Sequence, residues 1–109
     1  MFKLFASSLG GVVLAVALSA HAAPAPITIK IDNFTFSPPN LVIPAGTTVT
    51  WVNEDDVPHT AVSDDHKTFR SKPMDTDDRY SFTFASPGVY PYFCSIHPHM
   101  TAKIIVKAS

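Results

Sequence analysis

From Ile27 onward the chain alternates: Ile27, Ile29 and Ile31 are apolar, while Thr28, Lys30 and Asp32 are polar. A period of two residues puts one face of a strand against a core and the other in water. Phe34 and Phe36 extend the apolar face until Ser37-Pro38-Pro39-Asn40 interrupts it. Leu41-Val42-Ile43 is a short apolar run closed by the turn signal Pro44-Ala45-Gly46. Thr47 to Val52 is β-branched and carries Trp51, which predicts a further strand. Asn53 to Pro58 reads as a loop, and His59 to Ser63 as the start of another strand. Asp64 to Asp78 is irregular, with room for one short strand near Phe69. Tyr80, Phe82 and Phe84 alternate with Ser81 and Thr83. After Ser86-Pro87-Gly88, the run Val89 to Cys94 sets Tyr90, Tyr92 and Cys94 on one face. A last strand is expected from about Met100 to Lys107.

Nothing in this stretch keeps a helical period over three turns. Ten prolines and frequent turn signals between seven or eight short strands predict an all-β, antiparallel β-sandwich. The aromatic residues Trp51, Phe82, Phe84, Tyr90 and Tyr92 belong in its core.

The first residues follow a different pattern. Lys3 precedes an apolar core from Leu9 to Leu18, and Ala20-His21-Ala22 offers small residues around a cleavage point. Residues 1–22 are therefore expected to be a signal peptide, with an uncleaved anchor as the alternative, and residues 23–109 one domain. The apolar core falls short of the ~20 residues of a membrane span, so no span is expected in the mature form. Export to the periplasm follows from the leader.

Nine Asp and Glu stand against eight Lys and Arg, of which Lys3 lies in the leader. The absence of a basic stripe argues against a nucleic-acid partner. Acids gather in Glu54-Asp55-Asp56, Asp64-Asp65 and Asp75 to Asp78, all in predicted loops. They read first as solvated loop charge, second as a docking face for a basic redox partner. The single cysteine, Cys94, sits in an exported chain where it has no internal disulfide partner. An inert buried thiol, a metal ligand and a nucleophile are the three readings.

Its neighbours decide among them. Cys94-Ser95-Ile96-His97-Pro98-His99-Met100 joins two predicted strands, and Pro98 forces a turn because it cannot extend a ladder. One tight loop thus offers a thiolate, an imidazole and a thioether. Soft donors of this kind favour copper over the hard, oxygen-seeking cations. A second imidazole must come from elsewhere. His59, after Pro58 and in the less charged surroundings, is a better candidate than His66 in Asp64-Asp65-His66-Lys67 or His99 within the loop. Structural zinc suits Cys and His, though methionine is an odd ligand for it. A hydrolase with Cys94 as nucleophile lacks a third, orienting residue, so no enzyme activity is expected.

The chain resembles a cupredoxin, the type 1 blue copper family, and within it the amicyanin and plastocyanin group. The resemblance rests on Trp51-Val52-Asn53 with Pro58-His59, on Gly88 to Cys94, and on His97-Pro98-His99-Met100. It implies a Greek-key sandwich binding one copper ion through His59, Cys94, His97 and Met100. It also implies single-electron transfer by Cu(II)/Cu(I) cycling, as a monomer docking transiently with a donor and an acceptor such as a dehydrogenase or a cytochrome. A periplasmic carrier delivering copper to an oxidase would share the same fold and ligands. Three positions depart from the group's pattern. Thr60 replaces an asparagine that steadies the ligand loops, Thr101-Ala102-Lys103 lacks a glycine, and His99 stands where a bulky apolar residue is usual.

Overall fold

The computed structural model describes residues 22–109. The expected signal peptide, save Ala22, lies outside the described residues. Eight strands follow in order: β1 (Ile27–Asp32), β2 (Thr35–Ser37), β3 (Asn40–Pro44), β4 (Thr47–Asn53), β5 (Val62–Ser63), β6 (Arg79–Phe84), β7 (Gly88–Phe93) and β8 (Thr101–Lys107). They form two four-stranded sheets, β2-β1-β4-β6 and β3-β8-β7-β5. The described residues contain no helix. The all-β sandwich expected from the alternating pattern is thus the architecture of the molecule.

Alternation turns into burial as the period requires. In β1, Ile29 and Ile31 are fully buried while Thr28, Lys30 and Asp32 face water. Val49 and Trp51 do the same for β4, and Ile104 and Val106 for β8. Between the sheets Trp51 stacks on Phe69 at 5.2 Å and meets Tyr92 edge-on at 5.5 Å. Phe36 packs edge-on against Tyr92 at 4.7 Å. Phe82 and Tyr90, expected in the core, are only half-buried and pack against it from the side.

One expectation needs correction: the sandwich is not wholly antiparallel. β1 pairs with β4 in parallel, and β3 with β8 likewise. A two-residue period reports which face is buried, never which way a distant neighbour runs. The cause lies at Pro38 and Pro39, which have no N–H to extend the β2 ladder. The chain leaves the first sheet there, forms β3 in the second, and returns as β4 beside β1. No strand forms near Phe69; that stretch makes two isolated bridges, His59 with Met74 and Val62 with Arg70. Gly46 turns the chain from β3 into β4 with φ of 93°, a left-handed conformation that a side chain would strain.

These pairings decide what meets at one end of the sandwich. Because β1 runs parallel to β4, the turn after Asp32 and the loop after Asn53 leave by the same edge. β7 ends and β8 begins opposite each other, Phe93 against Thr101, and Val62 of β5 pairs with Phe93. Segments 33–34, 54–61 and 94–100 are therefore brought together.

Truncating Ile104 to Ala should lower the unfolding free energy by about 2–5 kcal/mol through cavity formation. Val89→Ala, at a position 62% exposed, should stay within about 0.5 kcal/mol. Urea unfolding of the two variants checks this, and equal losses would contradict the two-faced packing.

Candidate metal centre

The loop after β7 closes on itself. The Cys94 N–H donates to the Met100 carbonyl at 3.0 Å, and the Met100 N–H donates to the His97 carbonyl at 2.9 Å. The second bond spans a four-residue turn with Pro98 next after its first residue, where a fixed φ is favoured. Cys94 is fully buried, Met100 nearly so, and His97 half-buried. Cys94 lies one residue past β7 and Met100 one before β8, so strand ends fix both termini of the loop.

His59 comes from the other loop. Its backbone N–H donates to Met74 O at 3.1 Å and its carbonyl accepts from Met74 N–H at 2.8 Å. Its ring is wholly buried. Nδ1 of His59 lies 3.8 Å from Cys94 Sγ, and Nδ1 of His97 lies at the same distance on another side. The three donor atoms all lie within 4.8 Å of one another. The structure thus brings together three of the four expected donors and seats the Met100 main chain beside them. His66 and His99 are exposed and stand outside this cluster.

The spacing suits a metal ion. Bonds of about 2.3 Å to sulfur and about 2.0 Å to nitrogen, opened to roughly 120°, separate the two donors by about 3.7 Å. The two S···N separations of 3.8 Å match that value. Two imidazoles and a thiolate in this arrangement, with a methionine beside them, are the donor set of a type 1 copper centre.

Electrostatics favour the ligating form of the sulfur. Burial alone pushes the Cys94 thiol up, but the Thr60 N–H, the His59 ring, and the N–H and ring of His97 together outweigh it. The thiol is brought down to about 6. The Thr60 N–H donates to Sγ at 3.4 Å, and its hydroxyl lies 3.8 Å away. That hydroxyl also accepts from the Ser95 N–H at 2.7 Å and lies 2.8 Å from the Ser95 hydroxyl. Thr60 thereby ties the two ligand loops together.

Asp55 overturns one reading of the sequence. It is buried rather than solvated, and its Oδ2 lies 2.9 Å from Nε2 of His59. The same oxygen accepts the Phe34 N–H at 3.0 Å. The Phe34 N–H and the His59 ring hold the Asp55 carboxyl below its usual range. An ionised carboxylate can only accept, so Nε2 carries the proton that meets Asp55, and Nδ1 is left facing Cys94 Sγ. His59 thus has a charged neighbour after all. The cluster Glu54-Asp55-Asp56 gave no hint of this, because a loop acid and a buried one look alike in sequence.

Asn53 braces this loop from inside. Its side-chain amide donates to Val57 O at 2.9 Å and to Met74 O at 2.8 Å, while its Oδ1 accepts the Asp55 N–H at 2.9 Å. The Thr76 hydroxyl donates to Asp55 O at 2.6 Å. Phe34 completes the site from the β1–β2 hairpin. Asn33 and Phe34 both have positive φ, 50° and 59°, as a tight two-residue hairpin requires. An aromatic residue rarely adopts that conformation. Here it sets the ring edge-on to His59 at 5.3 Å and to His97 at 4.9 Å. Phe34 read as a strand residue in the sequence, since alternation continues through it.

A β-sandwich with one thiolate and two imidazoles gathered at the end of its strands defines a small metal-binding domain. Comparison with known proteins names the family: residues 6–106 match the Cupredoxin-like domain, and the chain belongs to that family. Amicyanin-alpha of Methylorubrum extorquens is 34% identical, with 94% of this chain and 96% of that one covered. Amicyanin of Paracoccus versutus is 37% identical over 74% of this chain, which spans 64% of that relative. Among solved structures, a purple cupredoxin from Nitrosopumilus maritimus is similar at a TM-score of 0.69 and 40% identity, covering 74% of this chain and 99% of that one. A copper-containing nitrite reductase from Thermus scotoductus has a TM-score of 0.72 and 38% identity over 79% of this chain, but only 23% of the reductase is covered.

Asp55→Asn should weaken metal retention by about 10–100-fold, the usual cost of losing an outer-shell partner. Competition with a chelator measures it, and unchanged affinity would contradict the role given to Asp55. In metal-free protein, the ultraviolet absorbance of the thiolate should titrate with a midpoint of about 6. A midpoint near the free-cysteine value of about 8.5 would contradict the hydrogen bonding described.

Proposed function

We propose that this chain is an exported blue copper electron carrier whose one copper ion is held by His59, Cys94, His97 and Met100. The observation that carries this reading is the gathering of Cys94 Sγ and the two Nδ1 atoms within 4.8 Å by the fold alone. Copper supplies one-electron chemistry by cycling between Cu(II) and Cu(I). The protein's residues supply everything else. Cys94 and Met100 are tied to the ends of β7 and β8, His97 to Met100 through its carbonyl, and His59 to Met74 and Asp55, so each donor has little freedom to move. A site that need not rearrange presents little reorganisation to an arriving or departing electron.

The Thr60 N–H bond to sulfur and the buried side chains of Met74 and Met100 tune the potential. The half-buried His97 is the way in and out. Around it lies an apolar recess of about 430 Å³ lined by Phe34, Ile96, Pro98 and His99. Phe34 and Ile96 are exposed at 47% and 44%. Such a rim suits the small, transient contact of a redox encounter with a donor and an acceptor, a dehydrogenase or a cytochrome. Amicyanin as the name of two relatives supports electron carriage over copper delivery to an oxidase. The leader, residues 1–22, supports a periplasmic site of action for the domain 23–109.

Adding Cu(II) to the purified protein should give an intense blue or purple charge-transfer band that Cys94→Ser abolishes, leaving a pale site. A colourless adduct from the parent chain would refute the reading. Pro98→Lys or His99→Lys should keep the band while slowing transfer to protein partners in stopped flow. Rates unchanged with every partner would remove His97 as the port.

A further inference from the structure

Two sets of exposed charges stand unpaired near this end of the sandwich, Glu54 and Asp56 on one loop and Arg70, Lys72 and Arg79 on another, and the second lines recesses that reach the rim of the metal centre. Among the described residues the sole ion pair is that of Asp55 with His59. Asp65 is consumed by its own turn, accepting from Ser63, Lys67 and Thr68. Asp78 accepts the Asp75 N–H. No carboxylate reaches Arg70, Lys72 or Arg79, all exposed.

These three cations surround one recess of about 450 Å³, with Asp78 the one carboxylate on its wall. Arg70 and Lys72 also line a neighbouring recess of about 360 Å³ together with Thr60, Ser95 and Ile96. Ile96 in turn borders the recess over His97. A continuous surface therefore runs from Arg79 through Arg70 and Lys72 to the rim of the metal centre. Two of its residues, Thr60 and Ser95, belong to the hydrogen bonds that hold the two ligand loops.

We propose that Arg70, Lys72 and Arg79 form the docking face for the acidic surface of a redox partner protein, seated so that its own redox group lies over Ile96 and His97. This deepens the electron-carrier reading and rests on it. Opposite charges steer encounter and fix orientation, and their effect appears in the association rate and fades with salt. The apolar rim alone would leave the partner's rotation about His97 unset; a basic flank on one side sets it. The loop acids, whose second reading in the sequence is a face for a basic partner, give way to the bases in this role.

Two forms of one partner test the charge. They are a basic cytochrome c and the same cytochrome with its lysines succinylated, which makes its surface acidic. In the reaction followed, one electron leaves the ferrous haem and enters the oxidised copper protein. At low salt the acidic form should react faster than the basic one, and Arg70→Gln with Lys72→Gln should slow it on the order of tenfold. Lys107→Gln, at the far end of β8, should not. High salt should erase the difference.

Binding is read separately by amide NMR shifts of the reduced protein mixed with ferrous succinylated cytochrome, between which no net electron moves. Shifts should gather at residues 70–74 and 95–97 and vanish in the double variant. Equal rates with both cytochromes, or shifts gathered elsewhere, would overturn the proposal. So would the same footprint from anionic lipid vesicles with none from the acidic cytochrome. Oxidation of the reduced protein by the small probe hydroxymethylferrocenium reports on the carrier reading itself. Its failure sinks that reading, whereas its success beside equal cytochrome rates sinks only the docking face.

Discussion

A fully buried imidazole must have both of its ring nitrogens answered, and the site of this protein is built around that demand at His59. Asp55 answers one nitrogen, which fixes the proton there and turns the other toward Cys94 Sγ. Leaving either nitrogen dry and unpaired would cost about 1–3 kcal/mol. Asp55 in place therefore stabilises the loop. Asn53, Thr76 and the Phe34 N–H hold it there. The rigidity of the centre is thus a matter of hydrogen-bond satisfaction in a dry place, before any metal is considered.

The same logic links fold to site. Parallel pairing of β1 with β4 carries the Phe34 hairpin to the edge where Asn53 ends β4. Without that pairing neither the Phe34 amide nor its ring would reach the centre. Antiparallel pairing of β7 with β8 then closes the 94–100 loop from both ends. Thr60 joins the loops through Ser95. Two loops from different strands of the sandwich carry the donors, His59 on one and Cys94 with His97 on the other, so the donor spacing depends on how the fold brings those loops together.

Much of this could be read from the chain. Alternation at Ile27 to Asp32 and at Tyr80 to Phe84 identified strands because one buried face leaves a period of two. The Cys94 to Met100 loop announced its chemistry because its donors are adjacent in sequence. Other features were hidden for physical reasons. Strand direction leaves no trace in periodicity, so the two parallel pairs were missed. Phe34 read as part of a strand because a left-handed backbone is set by the hairpin, with no glycine to mark it. Asp55 read as loop charge because its partner and its burial exist only after folding. The basic face was invisible since Arg70 and Lys72 join Arg79 only across a fold of the chain.

X-ray absorption of the copper-loaded protein in both oxidation states tests the central claim, a donor set fixed by the fold. The account predicts one sulfur and two nitrogen neighbours at short range in each state, with shells that barely shift on reduction. A copper environment of nitrogen and oxygen alone, or one that rebuilds itself between the two states, would contradict it.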